Sequence, residues 1–251
     1  MKHERLRRLL AALLAIAVWQ AAAMIVRSPL LLASPVQVAV RLAELVPAAA
    51  FWQTILFSFL RIAGGFLLAL ALAAVLAAAA AASSTVEILL RPYVLAIKSV
   101  PVASFIILAL IWLKAGRLPL FISFLMVFPL LYSNILAGIQ SADKQLLEMA
   151  QVFRVPWGRR MRMILLPSVE PFLLAGCTAA LGMSWKAGVA AEVIGVVGGS
   201  IGERLYDAKI YLQTADLLAW TVVIVILSAG FEKLVLRLLR CVFRRIGGAQ
   251  A

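Results

Sequence analysis

The chain has 251 residues, 65% hydrophobic and 14% charged, which leaves too little polar surface to clothe a water-soluble domain of this length. At roughly 20 apolar residues per helical span there is room for about six spans with short loops, and none for a separate soluble domain. The net charge of +13, from 24 Lys+Arg against 11 Asp+Glu, reads in such a chain as a loop bias and not as a nucleic-acid surface. Two cysteines in apolar surroundings, Cys177 and Cys241, and one histidine, His3, in the leading tail build neither a disulfide framework nor a metal site.

The leading Lys2, Arg5, Arg7 and Arg8 run into an apolar stretch at 9–26. Ala21-Ala22-Ala23 within it resembles a signal-peptidase site, but cleavage would leave five spans and put the basic tail of Arg237, Arg240, Arg244 and Arg245 outside, so a retained first span is expected. Residues 27–53, with Pro29, Pro35 and Pro47, read as an outside loop carrying a short interfacial helix from Pro35 to Leu45. A second span at 54–80 ends in an Ala/Leu tract suited to close helix packing. A third region, 86–113, contains Pro92, Lys98 and Pro101, and is read as an amphipathic lead-in to Lys98 and a short membrane helix after Pro101. Spans at 118–139, 171–197 and 217–239 complete an all-α, polytopic fold of about six transmembrane helices, one domain over 1–251. Most of the basic residues fall on the side of both termini, with only Arg27, Arg41, Lys114, Arg117, Arg204 and Lys209 opposite. That bias places both termini in the cytoplasm. The Gly-rich run Gly195 to Gly202 then lies outside, as a turn before an external helix.

The longest inside loop, 141–168, is neither low in complexity nor purely polar. Leu146, Leu147, Ala150 and Phe153 recur at helical spacing, Pro156 breaks the pattern, and Met161, Ile164 and Leu165 resume it before Pro167. This predicts helix, turn, helix on the inner face, suited either to lying on anionic lipid or to docking in a groove of a partner protein.

Glu148-Met149-Ala150, followed by Ile164 and Leu166-Pro167, resembles the EAA loop of permease subunits in binding-protein-dependent ABC importers. Along the rest of the chain, Ser34-Pro35, Ser58 to Arg61 with Gly65-Phe66, Pro101-Val102-Ala103, Trp112, Phe128-Pro129, Asn134, Gly138, Ala191-Glu192 and Gly198 with Gly202 are similar to its nitrate/sulfonate/taurine branch. The family pattern has a glycine where this chain has Arg154. Pro156 disfavours helix at Val155 and Gly158 follows, so the turn is expected slightly later, made by other residues.

The resemblance implies that Glu148, Met149, Ala150, Phe153, Arg154, Gly158 and Pro167 belong to a coupling loop received by a cytoplasmic ABC ATPase dimer. It implies a multi-pass protein of the bacterial inner membrane, an extracytoplasmic solute-binding protein and a substrate such as a small anion. A second copy of the chain is expected as well, because one copy cannot present two loops to an ATPase dimer. The chain has no phosphate-binding Gly-x-x-x-x-Gly-Lys-Ser/Thr loop, so no catalysis and no cofactor of its own are expected, ATP being bound by the partner. Two other classes have sequence requirements of their own. A stand-alone secondary transporter would show similar halves or a self-contained ion-coupling site, and a membrane-embedded enzyme would need a nucleophile and base, paired acids or metal ligands.

Lys186, mid-span, costs roughly 2.5–3.5 kcal/mol to insert when ionised. Such a residue either pairs with another helix or lines a cavity, and with Trp185, Asn134 and Lys98 it makes up the candidate translocation path. Glu192 lies six positions on, about 240° around the helix, so the two share no face. It is read as a structural partner for backbone amides or an arginine. Arg61 and Trp112 are read as interfacial anchors, and Tyr132, Ser133 and Asn134 as hydrogen-bonding between helices or lining the path.

Overall fold

A computed structural model describes residues 2–28 and 30–247. Pro29 and the side chains of Lys2, His3, Arg5 and Arg8 lie outside the described residues. The chain is a succession of helices: α1 (Lys2–Val26), α2 (Pro35–Leu45), α3 (Ala49–Ala82), α4 (Ser84–Ser99), α5 (Val102–Trp112), α6 (Leu118–Gln140), α7 (Lys144–Val152), α8 (Trp157–Arg160), α9 (Leu166–Ile194), α10 (Ile201–Ile210) and α11 (Thr214–Gly247). There is no strand among the described residues. The fold is an all-α, polytopic membrane architecture.

The centre is a three-helix packing of α3, α6 and α9. In lipid, apolar surface does not drive helices together, so close approach of small side chains must. On α3, Ala69, Ala73, Ala77 and Ala80 make one buried edge, the ordered use of what reads in sequence as a low-complexity tract. Gly65 lets α3 sit against the α6 backbone, where a Cβ would come within 2.4 Å of the Leu120 carbonyl oxygen, and Gly188 does the same for α9, where a Cβ would come within 2.6 Å of Ile62 and Ser123. Ile62, Phe66, Val127, Leu131, Leu181 and Trp185 fill the space between, and Phe231 of α11 closes it.

Among the described residues three helices, 49–82, 115–140 and 157–194, are long and apolar enough to cross a membrane. The segment 86–113, expected as one span with a lead-in, is two helices bent by 105°. The cause is Pro101, which caps α5 and holds Val100 in an extended conformation at φ −84° and ψ 132°. The helix that carries the expected fifth span begins well before residue 171. Helix runs on from Trp157 through a π-helical stretch, Met161–Leu165, into α9, and the i to i+5 bonding of that stretch accommodates Pro167 within the helix. The second loop helix therefore does not end before Pro167.

On the opposite end, α2 begins at the capping box of Ser34 and Gln37. It is tied to α11 by Arg41, whose guanidinium donates to Asp216 and to Glu44 and has its pKa raised by those bonds. Helices α7, α9 and α10 each end with a non-glycine residue in the left-handed region, Arg154, Val196 and Leu212.

Candidate coupling surface and membrane path

The side chain of Asp143 accepts from the Gln145 amide at 2.8 Å and starts α7. Sequence spacing puts Leu146, Leu147, Ala150 and Phe153 on one face; the structure divides them. Ala150 is buried and Leu147 half-buried, whereas Leu146, Met149, Val152 and Phe153 are exposed, the last two 78% and 74%. A nine-residue helix lying along the body can be apolar on two edges, and periodicity does not say which edge is covered. Glu148 is exposed between them. The sequence reading passed over Val152 and Trp157, the latter 69% exposed at the start of α8. Their signal was a large apolar side chain on either side of a loop proline, in a segment with no core to enter.

The turn after α7 is made at Arg154 itself, at φ 49°, and not at later residues as expected. The Arg154 amide donates to Gln151 O at 3.0 Å and the Val155 amide to Ala150 O at 2.8 Å, the paired bonds of a Schellman cap. Arginine has taken the conformation that the family glycine would adopt freely. Gly158 does not turn the chain: it lies inside α8, and a Cβ there would meet nothing within 4 Å. Pro167 is exposed on the continuous helix.

Of the membrane residues, Lys98 ends α4 next to the 105° break, and its Nζ donates to Ser133 Oγ at 2.8 Å. Ser133 in turn donates to Pro129 O at 2.8 Å. Asn134 donates to Leu130 O and packs against Gly176, where a Cβ would lie 2.8 Å from it. Lys186 is exposed on α9, as are Thr178 and Met183 on the same side. Trp185 does not join them. It is buried in the central packing, 6.1 Å from the Phe59 ring, because one residue along a helix turns about 100°. The structure thus brings Lys98 to Ser133 on α6, places Lys186 on the open side of α9, and withdraws Trp185 from any open face.

At the far end of α9, the buried Glu192 accepts through Oε2 from Ser58 Oγ at 2.9 Å and from the Gly202 amide at 3.0 Å. Ser58 Oγ itself accepts from the Ile201 amide at 2.9 Å. One hydroxyl and one carboxylate thus satisfy the first two amides of α10, those of Ile201 and Gly202, where a negative charge is favoured, and fasten α10 to α3 and α9. Arg61 lies over the Phe57 ring at 3.3 Å and donates to Gly116 O at 2.6 Å, holding the short connection before α6.

Residues 65–248 match the family model of the binding-protein-dependent transport system inner membrane component. The chain belongs to that family. It is 29% identical over 220 residues to the taurine transport system permease protein of Escherichia coli, covering 85% of this chain and 80% of the relative. It is 25% identical over 200 residues to the bicarbonate transport system permease protein of Synechococcus elongatus, covering 78% and 70%. With the nitrate import permease protein of the same organism the match is 30% over 155 residues, covering 61% and 55%.

This binding-protein-dependent permease is therefore a multi-pass inner-membrane transporter subunit and not an enzyme, and its family works with a solute-binding protein and an ATPase. Among the described residues no cluster of His, Cys, Asp and Glu could hold a metal ion. The surfaces described are suited to binding: an exposed apolar edge beside a carboxylate at 146–157, and exposed lysines on α4 and α9.

Proposed function

We propose that this permease forms the translocation path for a small anion, as one of two identical copies, with six spans and both termini in the cytoplasm. The observation that carries the coupling half of this reading is the exposed edge of Leu146, Met149, Val152, Phe153 and Trp157 beside Glu148. So much apolar surface on a short helix is suited to a groove in a partner protein, and the partner is the cytoplasmic ATPase, which binds the ATP. Glu148, Phe153 and Trp157 make the contact, Ala150 seats α7 on the body, Arg154 shapes the turn, and Pro167 with the π-helical stretch joins the loop to α9. Docking there transmits ATPase closure to the spans.

Anion transport is supported by the bicarbonate and nitrate that relatives are named for, by the anionic sulfonate group of the taurine that another is named for, and by the exposed Lys98 and Lys186. In a water-filled path with low-dielectric walls, such cations favour an anion and repel a cation. Two-fold closed symmetry would double both the loops and the lysines.

The test is copurification with the cognate ATPase and transport in vesicles supplied with the binding protein. Trp157→Asp and Phe153→Asp are expected to abolish ATPase association while leaving insertion intact. Undiminished association in both variants, or transport of a cation by the parent protein, would overturn the reading.

A further inference from the structure

A cavity of about 210 Å³ opens between the last turns of α1 and the start of α2. Its polar lining is Gln20, Arg27, Ser28, Ser34 and Gln37, with no carboxylate. The capping box uses Ser34 Oγ and Gln37 Oε1 as acceptors, which leaves the Ser34 hydroxyl hydrogen and the Gln37 amide NH₂ able to donate into the cavity. The N-terminus of α2 adds the positive end of its dipole, and Arg27 makes no ion pair among the described residues. The site is thus a cluster of donors with one cation, and it calls for an anion.

Two further observations narrow that anion. Gln20 Oε1 is buried and has no hydrogen-bond partner among the described residues, so a ligand able to complete the site must also bring a donor. Beyond Arg27 and Met24, which both spaces share, an open groove continues along Ala21 and Ile25, and Met24 and Ile25 are exposed. The apolar run of α1, Leu13–Val26, ends here, at the level where hydrocarbon gives way to headgroups whichever way the helix points.

We propose that this cavity binds the headgroup of one phospholipid of the ethanolamine or glycerol class. Its phosphate lies among Arg27, Ser28, Ser34 and Gln37, its ammonium or hydroxyl donates to Gln20 Oε1, and one acyl chain follows Met24 and Ile25. The lipid fastens α1 to the body, to which Trp19 otherwise holds it by donating to Ala33 O at 3.1 Å. Choline lipids carry the phosphate but have no N–H or O–H to offer Gln20, so the site discriminates against them. This site is separate from the coupling and transport reading, and its test does not depend on either.

The experiment is native mass spectrometry of the purified full-length protein in detergent, titrated separately with phosphatidylethanolamine, phosphatidylglycerol, phosphatidylcholine, diacylglycerol and inorganic phosphate. One ethanolamine or glycerol lipid per chain is expected to bind about tenfold more tightly than the choline lipid or diacylglycerol. Arg27→Ala should weaken all three phospholipids by about tenfold or more, with Arg27→Lys recovering part of the loss. Gln20→Leu should instead remove the preference over choline, a change that general misfolding would not produce. Equal retention by Arg27→Ala and the parent, or equal retention of diacylglycerol, would overturn the proposal. Displacement of the lipid by inorganic phosphate at matching concentration would reveal a free-anion site and overturn it too.

Discussion

Arg154→Gly should tighten the end of α7. At φ 49° an L-residue brings Cβ against its own carbonyl oxygen, a cost of roughly 1–2 kcal/mol that glycine escapes. Against this, glycine loses more conformational freedom on ordering, about 0.5–1 kcal/mol. The balance is about 1 kcal/mol in favour of the closed turn, because the two cap bonds, Arg154 to Gln151 and Val155 to Ala150, need only the backbone. The strain is local, so the reading to take is amide hydrogen exchange at residues 154 and 155, where about 1 kcal/mol corresponds to roughly fivefold slower exchange. Arg154→Ala keeps the Cβ and should leave exchange close to that of the parent. If the alanine variant slows exchange as much as the glycine variant, the arginine's bulk or charge and not its backbone conformation limits the cap. If neither slows it, the turn carries no strain.

Gly202→Ala should destabilise the protein by about 2 kcal/mol or more, seen as a fall in melting temperature in detergent, because a Cβ would lie 2.2 Å from Glu192 Cβ and 2.6 Å from the Val193 backbone nitrogen. Glu192→Leu should cost several kcal/mol, since Ser58 and the Gly202 amide each lose an acceptor at roughly 1–3 kcal/mol apiece, whereas Glu192→Gln, whose amide oxygen can still accept, should cost less than half as much in the same melt. Lys186→Met should lower transport in reconstituted vesicles while ATPase and binding-protein association persist; unchanged transport would return Lys186 to a structural role.

Composition alone determined that the chain lives in a membrane, because 65% apolar residues cannot be hidden in a soluble fold of this size. Long, largely apolar runs located α3, α6 and α11, and the Pro35–Leu45 helix was readable to the residue from the proline at its start and its amphipathic pattern. The loop motif pointed to the family that the residues matched at 65–248 then established. What the sequence left undecided is what depends on neighbours. Pro101 announces a break, but the 105° angle is set by how α4 and α5 each pack. Pro167 looks like a terminus, yet a π-helical stretch carries the helix past it, a choice between hydrogen-bonding registers that local propensity does not make. Which edge of α7 is covered, and whether Trp185 or Lys186 faces outward, follow from a rotation of about 100° per residue about an axis whose azimuth only packing fixes. Arg154 shows the same limit in the backbone. Residue type disfavours its conformation, and the closed cap with its paired hydrogen bonds imposes it.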